Sequence, residues 1–231
     1  MNGTPGPLVL VGPSGAGKTT IAKELVKTHP DRYTLSVSAT TRSPRGGERH
    51  GHEYLFVSPA RFRRMVEGGE LAEWAEVHGE CYGTPVENLA EVSADGSVPV
   101  LDIDVNGARQ ILKRGTGAVV IFILPPGPGE WVGRLVVRGT ESPREIARRL
   151  RTALDELRAA PSFERFVVNA HLDQSVVDVL AHAAGEPGGR TSASQAAVLC
   201  RRLEAGARSE IARLEAGEQP TLAGPKRAQK E

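Results

Sequence analysis

Short apolar runs alternate with stretches of helical periodicity along most of this chain. Leu8–Val11 is an apolar run typical of a strand buried on both faces, and a glycine-rich turn and a helical stretch from Lys18 to about Thr28 follow it. Further buried strands are predicted at residues 97–104, 118–124 and 166–168. Strands that alternate with helices in this way predict an α/β fold with a parallel sheet between helices.

Two segments interrupt this alternation. Residues 38–92 contain polar turns, aromatic residues and charges, which indicate an inserted region that carries substrate contacts. Residues 134–158 are rich in arginine and helical in pattern, which indicates a mobile lid. The stretch 127–133 should form a poor helix, because each interior glycine costs about 1 kcal/mol relative to alanine. We predict one folded domain over residues 5–185. Outside the two interrupting segments, its core comprises residues 5–37, 93–133 and 159–185.

A tail at 186–231 follows the glycine-rich break after Ala184. Ser192 and Gln195 have the spacing of a capping box, so we expect a helix over 192–216 and a disordered end after it. An apolar stripe supports this helix: Leu199, Leu203, Ala207, Ile211 and Leu214. The linker and the mixed charges predict that the tail is dispensable for chemistry, so a chain cut after Gly185 should keep its activity within a few-fold.

Composition excludes several classes of partner. The chain has 231 residues, of which 39% are hydrophobic and 25% charged, as in ordinary soluble proteins. A net charge of +1 gives no field that would attract nucleic acid or an anionic membrane, and no apolar run approaches about 18 residues. Two distant cysteines, Cys81 and Cys200, are expected to be reduced thiols in the cytoplasm.

The strongest motif lies between the first strand and the first helix. It matches GxxxxGK[ST] at every position: Gly12, Pro13, Ser14, Gly15, Ala16, Gly17, Lys18 and Thr19. Glycines allow consecutive N–H groups to surround phosphate oxygens, and the helix N-terminus adds positive potential. Lys18 would reach the β- and γ-phosphates and Thr19 would ligate Mg²⁺. The motif predicts a bound nucleoside triphosphate and leaves the second substrate open.

A second oxyanion site is indicated further along the chain. Arg42 and Arg45 stand beside several hydroxyl residues, and a guanidinium is a natural fork for a phosphate. Tyr54 follows in the next segment and could meet the same phosphate.

With Glu73-Trp74-Ala75-Glu76-Val77 and Tyr82-Gly83-Thr84, these motifs make the sequence resemble the guanylate kinase family from about Leu8 to Leu180. The resemblance implies a three-layer P-loop NTPase fold with a parallel core sheet, an inserted GMP-binding region and a helical lid. It implies that four residues hold the GMP phosphate: Arg42, Arg45, Tyr54 and Tyr82. It implies that four others read the guanine: Ser38, Glu73, Thr84 and Asp104. Cys81 stands where the family usually has a second tyrosine.

The chemistry of guanine agrees with this assignment. Guanine presents N1–H and an exocyclic amino group as adjacent donors, so an ionised Glu73 can accept both, and the Thr84 hydroxyl can donate to O6. Asp102 and Asp104 are two residues apart at the end of a strand, so their side chains should enter the same crevice. The resemblance implies that Asp102 helps to order Mg²⁺ or its waters.

The resemblance also assigns arginines of the lid. Arg138 and Arg149 match residues that close over the transferring phosphoryl group, and Arg134 and Asn169 match residues near the adenine. Thr20 belongs to the ATP-binding set together with the glycine-rich loop. Three other arginines should form a solvated helix face: Arg144, Arg148 and Arg151.

The sequence therefore predicts an enzyme that phosphorylates GMP, and dGMP as well, with ATP and Mg²⁺. Two alternatives remain, a kinase of another phosphate acceptor such as a ribose bisphosphate and a catalytically silent interaction module of the same fold. The presence of Glu73, Thr84 and Asp104 argues against the first, and the presence of Lys18 argues against the second.

Overall fold

A computed structural model of the chain describes residues 6–77, 79–136, 142–186 and 191–220. The strands are Leu8–Val11 (β1), Tyr33–Leu35 (β2), Ala39–Thr40 (β3), Leu55–Phe56 (β4), Leu71–Val77 (β5), Glu80–Pro85 (β6), Val98–Asp102 (β7), Val119–Leu124 (β8) and Phe166–Val168 (β9). The helices are Lys18–Thr28 (α1), Pro59–Glu67 (α2), Val86–Ala94 (α3), Val105–Lys113 (α4), Pro128–Val136 (α5), Pro143–Arg158 (α6), Leu172–Ala183 (α7) and Ala193–Glu215 (α8). A short 3₁₀ helix, Ala160–Ser162, follows α6. Among these helices, none is long and apolar enough to cross a membrane.

The core sheet has five strands in the order β2, β7, β1, β8, β9. Leu8 pairs with Val100 and Leu10 with Asp102 in the parallel ladder of β1 and β7, and Phe122 pairs with Phe166 in the parallel ladder of β8 and β9. Strands β1 and β8 are wholly apolar, which is typical of a parallel sheet whose two faces are covered by helices. The predicted α/β fold with a parallel core sheet is confirmed.

The chain divides into two compact units. The first contains β1 and residues Ala22–Val120, and the second contains Gly12–Ile21 and the chain from Ile121 onward.

A second sheet lies in the first unit, in the order β4, β3, β6, β5. It packs against α2 through Ala39, Phe62, Met65 and Leu71, which form an apolar cluster. Its strands β3 and β4 have two residues each. The sequence places an inserted region here without resolving these strands, because runs this short have no readable periodicity.

In the second unit, α5 contradicts the expectation of a poor helix at 127–133. Trp131 and Leu135 are fully buried and Val132 nearly so, and this packing outweighs the cost of the glycines. The tail helix α8 begins one residue after the predicted start. Ser192 and Gln195 form the expected capping box, and Leu203, Ala207, Ile211 and Leu214 are buried.

Candidate active site

The loop between β1 and α1 depends on its glycines. Gly12 has φ of 141° and Gly17 has φ of 94°, a region that side chains rarely adopt. A Cβ on Gly12 would lie 2.2 Å from the Ile123 carbonyl oxygen, and one on Gly17 would lie 2.2 Å from Nδ2 of Asn169. A side chain at Gly12 would therefore displace the backbone, and one at Gly17 would displace the side-chain amide of Asn169.

Lys18 begins α1 and its side chain returns over the loop, where Nζ donates to the Gly12 carbonyl at 2.7 Å. Thr19 and Thr20 are exposed in the first turn of α1. Lysine nitrogen, threonine hydroxyls and the helix N-terminus thus lie together, as expected for a polyphosphate site.

Arg134 and Asn169 both bind the backbone of the loop at Ala16. Nδ2 of Asn169 donates to the Ala16 carbonyl at 2.8 Å, and Nη1 of Arg134 donates to the same oxygen at 3.4 Å. Nη2 of Arg134 also donates to the Asn169 carbonyl at 2.9 Å. Burial lowers the pKa of Arg134, and the charge of Glu130 opposes that shift.

The remaining arginines of the predicted lid divide into two groups. Arg149 is only 9% exposed, and its Nη1 donates to the Leu135 carbonyl at 3.3 Å. Arg144, Arg148 and Arg151 are exposed on α6, as the sequence predicts. The predicted catalytic Arg138 lies outside the described residues.

A small pocket in the first unit gathers most residues that the sequence assigns to GMP. Its lining includes Ser38, Tyr54, Glu73, Tyr82, Asp102 and Asp104. The two aspartates therefore enter one crevice, as their spacing predicts.

Glu73 is the buried acid of this pocket. It is only 3% exposed, and burial raises its pKa to about 7 against a hydrogen bond from Thr84 that lowers it. The Thr84 hydroxyl donates to Oε1 of Glu73 at 2.6 Å. Since a hydroxyl carries one proton, Thr84 cannot donate to guanine O6 while it makes this bond.

Asp104 and Gly107 bring the start of α4 against Glu73. Asp104 is the N-cap residue of α4, and its Oδ1 accepts from the Gly107 amide at 2.7 Å. A Cβ on Gly107 would lie 2.3 Å from Oε2 of Glu73. The absence of a side chain at Gly107 therefore makes room for the carboxylate.

Arg42 is held in place by Glu48. Nη1 and Nη2 of Arg42 donate to the two carboxylate oxygens of Glu48 at 2.9 and 3.0 Å, which raises the pKa of Arg42 and lowers that of Glu48. The guanidinium also lies 5.3 Å from the centre of the Tyr54 ring, and Tyr54 packs edge-on against Tyr82. The exposed Arg45 donates its backbone amide to Glu48 at 2.7 Å.

A family model described as guanylate kinase matches residues 4–183 of this chain. The chain belongs to the guanylate kinase family. The guanylate kinase of Thermobifida fusca is 48% identical over 173 residues, which make up 75% of this chain and 88% of that protein. The guanylate kinase of Geobacter sulfurreducens is 46% identical over 171 residues, or 74% of this chain and 84% of that protein.

A solved structure agrees with the family. The crystal structure of guanylate kinase from Anaplasma phagocytophilum has a TM-score of 0.63 and 27% identity, and the match covers 94% of this chain and 97% of that one. Guanylate kinase family membership makes this chain a nucleotide kinase with small-molecule nucleotide substrates. Helix α8 begins beyond residue 183, where the match to the guanylate kinase family model ends.

Four residues at these sites escaped the sequence analysis: Glu48, Gly107, Trp131 and Glu156. Gly107 carried a readable signal, since a glycine inside a helical pattern often marks a close approach of another group. The other three bind partners through contacts that no local pattern encodes. Glu156, for example, binds the backbone of Ser14, which is 142 residues away in sequence.

Proposed function

We propose that this chain transfers the γ-phosphoryl group of ATP to GMP, and to dGMP, with the site residues that the sequence assigns. The observation that carries the proposal is the buried Glu73 carboxylate in the small pocket of the first unit. An ionised carboxylate there accepts both N1–H and the exocyclic amino group of guanine. Adenine offers no such pair of donors.

The other pocket residues complete the acceptor site in this proposal. Ser38 and Asp104 contact the guanine, and Thr84 orients Glu73 through its hydroxyl or, after rotation, meets O6. The acceptor phosphate binds to four side chains: Arg42, Arg45, Tyr54 and Tyr82. Glu48 keeps the Arg42 fork in one orientation, so less side-chain freedom is lost when the phosphate binds.

ATP binds to the glycine-rich loop and the first turn of α1. Lys18 exchanges its bond with the Gly12 carbonyl for the β- and γ-phosphates, while Arg134 and Asn169 keep the loop in shape near the adenine. The Thr19 hydroxyl in the second unit and the Asp102 carboxylate in the first are oxygen donors of the kind that Mg²⁺ prefers, so each would suit that ion by its own chemistry. When bound, Mg²⁺ neutralises charge on the phosphates.

Transfer needs no strong general base, because the acceptor is already an anionic phosphate oxygen. The chain's part is to hold both nucleotides in line and to neutralise the charge of the transition state with Lys18, Arg42, Arg138 and Arg149. The division into core, GMP-binding region and lid, and the cytoplasmic location, stay predictions.

A coupled assay of ADP release tests the proposal against its alternatives. GMP and dGMP should be phosphorylated, whereas AMP, CMP, UMP and ribose bisphosphate should not. Turnover of the bisphosphate alone would favour the kinase of another acceptor, and no turnover with any acceptor would favour the silent module.

Replacement of the loop lysine supplies the first mutational prediction. Lys18→Ala should lower kcat about 100-fold or more, because a charge aimed at the transferring phosphate contributes about 3 kcal/mol in such sites. The fold should persist, which circular dichroism checks. A variant with near-normal kcat would rule out this mechanism.

A further inference from the structure

The backbone of Ser14, in the glycine-rich loop, is held by side chains from two different helices. Oε2 of Glu156, on α6, accepts from the Ser14 amide at 2.9 Å. Nε1 of Trp131, on α5, donates to the Ser14 carbonyl at 2.7 Å, and Trp131 is fully buried. The backbone amide and the backbone carbonyl of Ser14 are thus both bound by side chains that are distant in sequence.

Further hydrogen bonds and close contacts hold the loop in addition to these two bonds. The Ala16 carbonyl accepts from Asn169 and Arg134, as described above, and the Ala16 amide donates to the Pro13 carbonyl at 3.0 Å. A Cβ on Gly15 would lie 3.0 Å from the Leu135 side chain and 3.3 Å from Trp131. The loop therefore rests on α5 and is tied to α6 through one carboxylate.

We propose that Glu156 is a positioning residue for the nucleoside triphosphate, acting through the Ser14 amide rather than by touching the reacting atoms. A bond from an amide to a carboxylate is stronger than one between neutral groups, so it fixes the peptide plane at Ser14. A phosphate cradle needs its N–H groups held to within about 0.5 Å of the productive geometry. The inference rests on the proposed function, since it concerns the ATP half of that reaction.

The test uses three variants of the full chain. Glu156→Ala removes the acceptor, and Glu156→Gln removes the charge but keeps an oxygen that can accept from Ser14. Asp155→Asn removes the neighbouring carboxylate of α6, which pairs with Arg158 on the exposed surface and serves as the matched control. Calorimetric titrations measure Kd for ATP with Mg²⁺ and, separately, Kd for GMP.

Glu156→Ala should weaken ATP binding about 10- to 100-fold, because a loop amide loses its partner. Its GMP affinity should stay within about two-fold, a split that general loss of structure would not produce. Glu156→Gln should stay within about three-fold of the parent for ATP, since the acceptor oxygen is kept. Asp155→Asn should change neither affinity.

The proposal is overturned if Glu156→Ala binds ATP as well as the parent, or if Glu156→Gln is as weak as Glu156→Ala. Tighter ATP binding by Glu156→Ala would also overturn it and would mean that the carboxylate competes with phosphate. If Glu156→Ala does not fold, Glu156→Met replaces it, because methionine keeps the length of the side chain and suits a helix but offers no oxygen to the Ser14 amide. Glu156→Met should then lose ATP affinity about five-fold or more with GMP affinity kept, and unchanged ATP affinity would count against the proposal.

The parent chain separates this inference from the proposed function. If the parent binds ATP and phosphorylates GMP while the Glu156 variants match it, only the positioning role fails. If the parent binds ATP but phosphorylates no GMP, the proposed function fails, and the ATP titrations still decide the role of Glu156.

Discussion

At the scale of single residues, Glu73 combines two demands that oppose each other. Burial disfavours its ionised form, which is the form that guanine recognition needs. The Thr84 hydroxyl and the space left by Gly107 keep the carboxylate in position, and neither group supplies a full positive charge. Stability is therefore given up at the position that we propose to determine base choice.

Glu73→Gln tests base choice directly. The amide puts a donor against a guanine donor, so kcat/KM for GMP should fall roughly 30- to 1000-fold, which corresponds to about 2–4 kcal/mol. The Kd for ATP should hardly change, because Lys18 and the glycine-rich loop belong to a different segment. An unchanged preference for GMP over AMP would mean that Glu73 does not read the base.

The pKa of Glu73 also makes GMP affinity depend on pH. Below about 7 the carboxyl of the free protein becomes protonated and must lose that proton before it accepts two guanine donors. Between pH 8 and pH 6, Kd for GMP should therefore rise about ten-fold. Glu73→Gln is the control, since it keeps the titration of the GMP phosphate. If the profiles of parent and variant are parallel, Glu73 does not titrate in this range.

The same group affects stability with a defined sign. The pKa of Glu73 is raised from 4.5 to about 7 on folding, so the folded protein binds more protons than the unfolded chain between these values. The contribution of Glu73 to stability is therefore fully present below pH 4.5 and is lost as the pH rises to about 7. At pH 8, Glu73→Gln should have a Tm several degrees higher than the parent, as measured by thermal unfolding.

Gly107→Ala should separate guanine binding from folding. Alanine normally stabilises a helix by about 1 kcal/mol relative to glycine, but its Cβ here would displace Oε2 of Glu73. Because that oxygen ends a flexible side chain, the fold should persist while KM for GMP rises about ten-fold or more. KM for ATP is the control, and an unaltered KM for GMP would show that the carboxylate moves without cost.

At the scale of elements, the sequence predicted a helix or strand where residues within it or next to it mark its ends. The bounds of β1, α1 and β9 match the predicted ones because buried runs and the loop motif mark their ends. Helix α8 was predicted to within a residue at each end from its capping box and stripe. Helix α5 was missed because its glycines lower the helix propensity of the segment. The burial of Trp131 and Leu135, which stabilises the helix, is visible only in the structure.

The candidate sites divide in the same way. A motif of eight consecutive residues and the order of the later motifs were sufficient to name the predicted ligands of both nucleotides. The residues that orient these ligands were not predictable. Glu48 holds Arg42 within one irregular loop, and Trp131 and Glu156 hold Ser14 from two helices distant in sequence. Sequence patterns encode neither kind of contact.

At the scale of the whole molecule, the tail contributes more to the second unit than its composition suggests. Helix α8 packs against α5, α6 and the short 3₁₀ helix that follows α6. A Cβ on Gly206 would lie 2.3 Å from the Pro128 side chain, so α8 and α5 approach closely there. Arg151 on α6 also forms an ion pair with Glu215 at the end of α8.

Truncation after Gly185 tests this role. It removes the buried Leu203, Ile211 and Leu214, each of which contributes about 1.5–3 kcal/mol by its burial. The Tm should therefore fall by about 10 °C or more. The matched control is truncation after Gly217, which keeps α8 and should leave Tm unchanged within about 2 °C.

The same truncated protein, assayed well below its Tm, tests whether the tail is dispensable for chemistry. Helices α5 and α6 carry Arg134, Trp131, Arg149 and Glu156, so their loss of support should raise KM for ATP while KM for GMP stays within about two-fold. If both constants and Tm match the parent chain, α8 rests on the second unit without stabilising it. If Tm falls but KM for ATP does not, α8 stabilises the unit and the expectation that the tail is dispensable for chemistry holds.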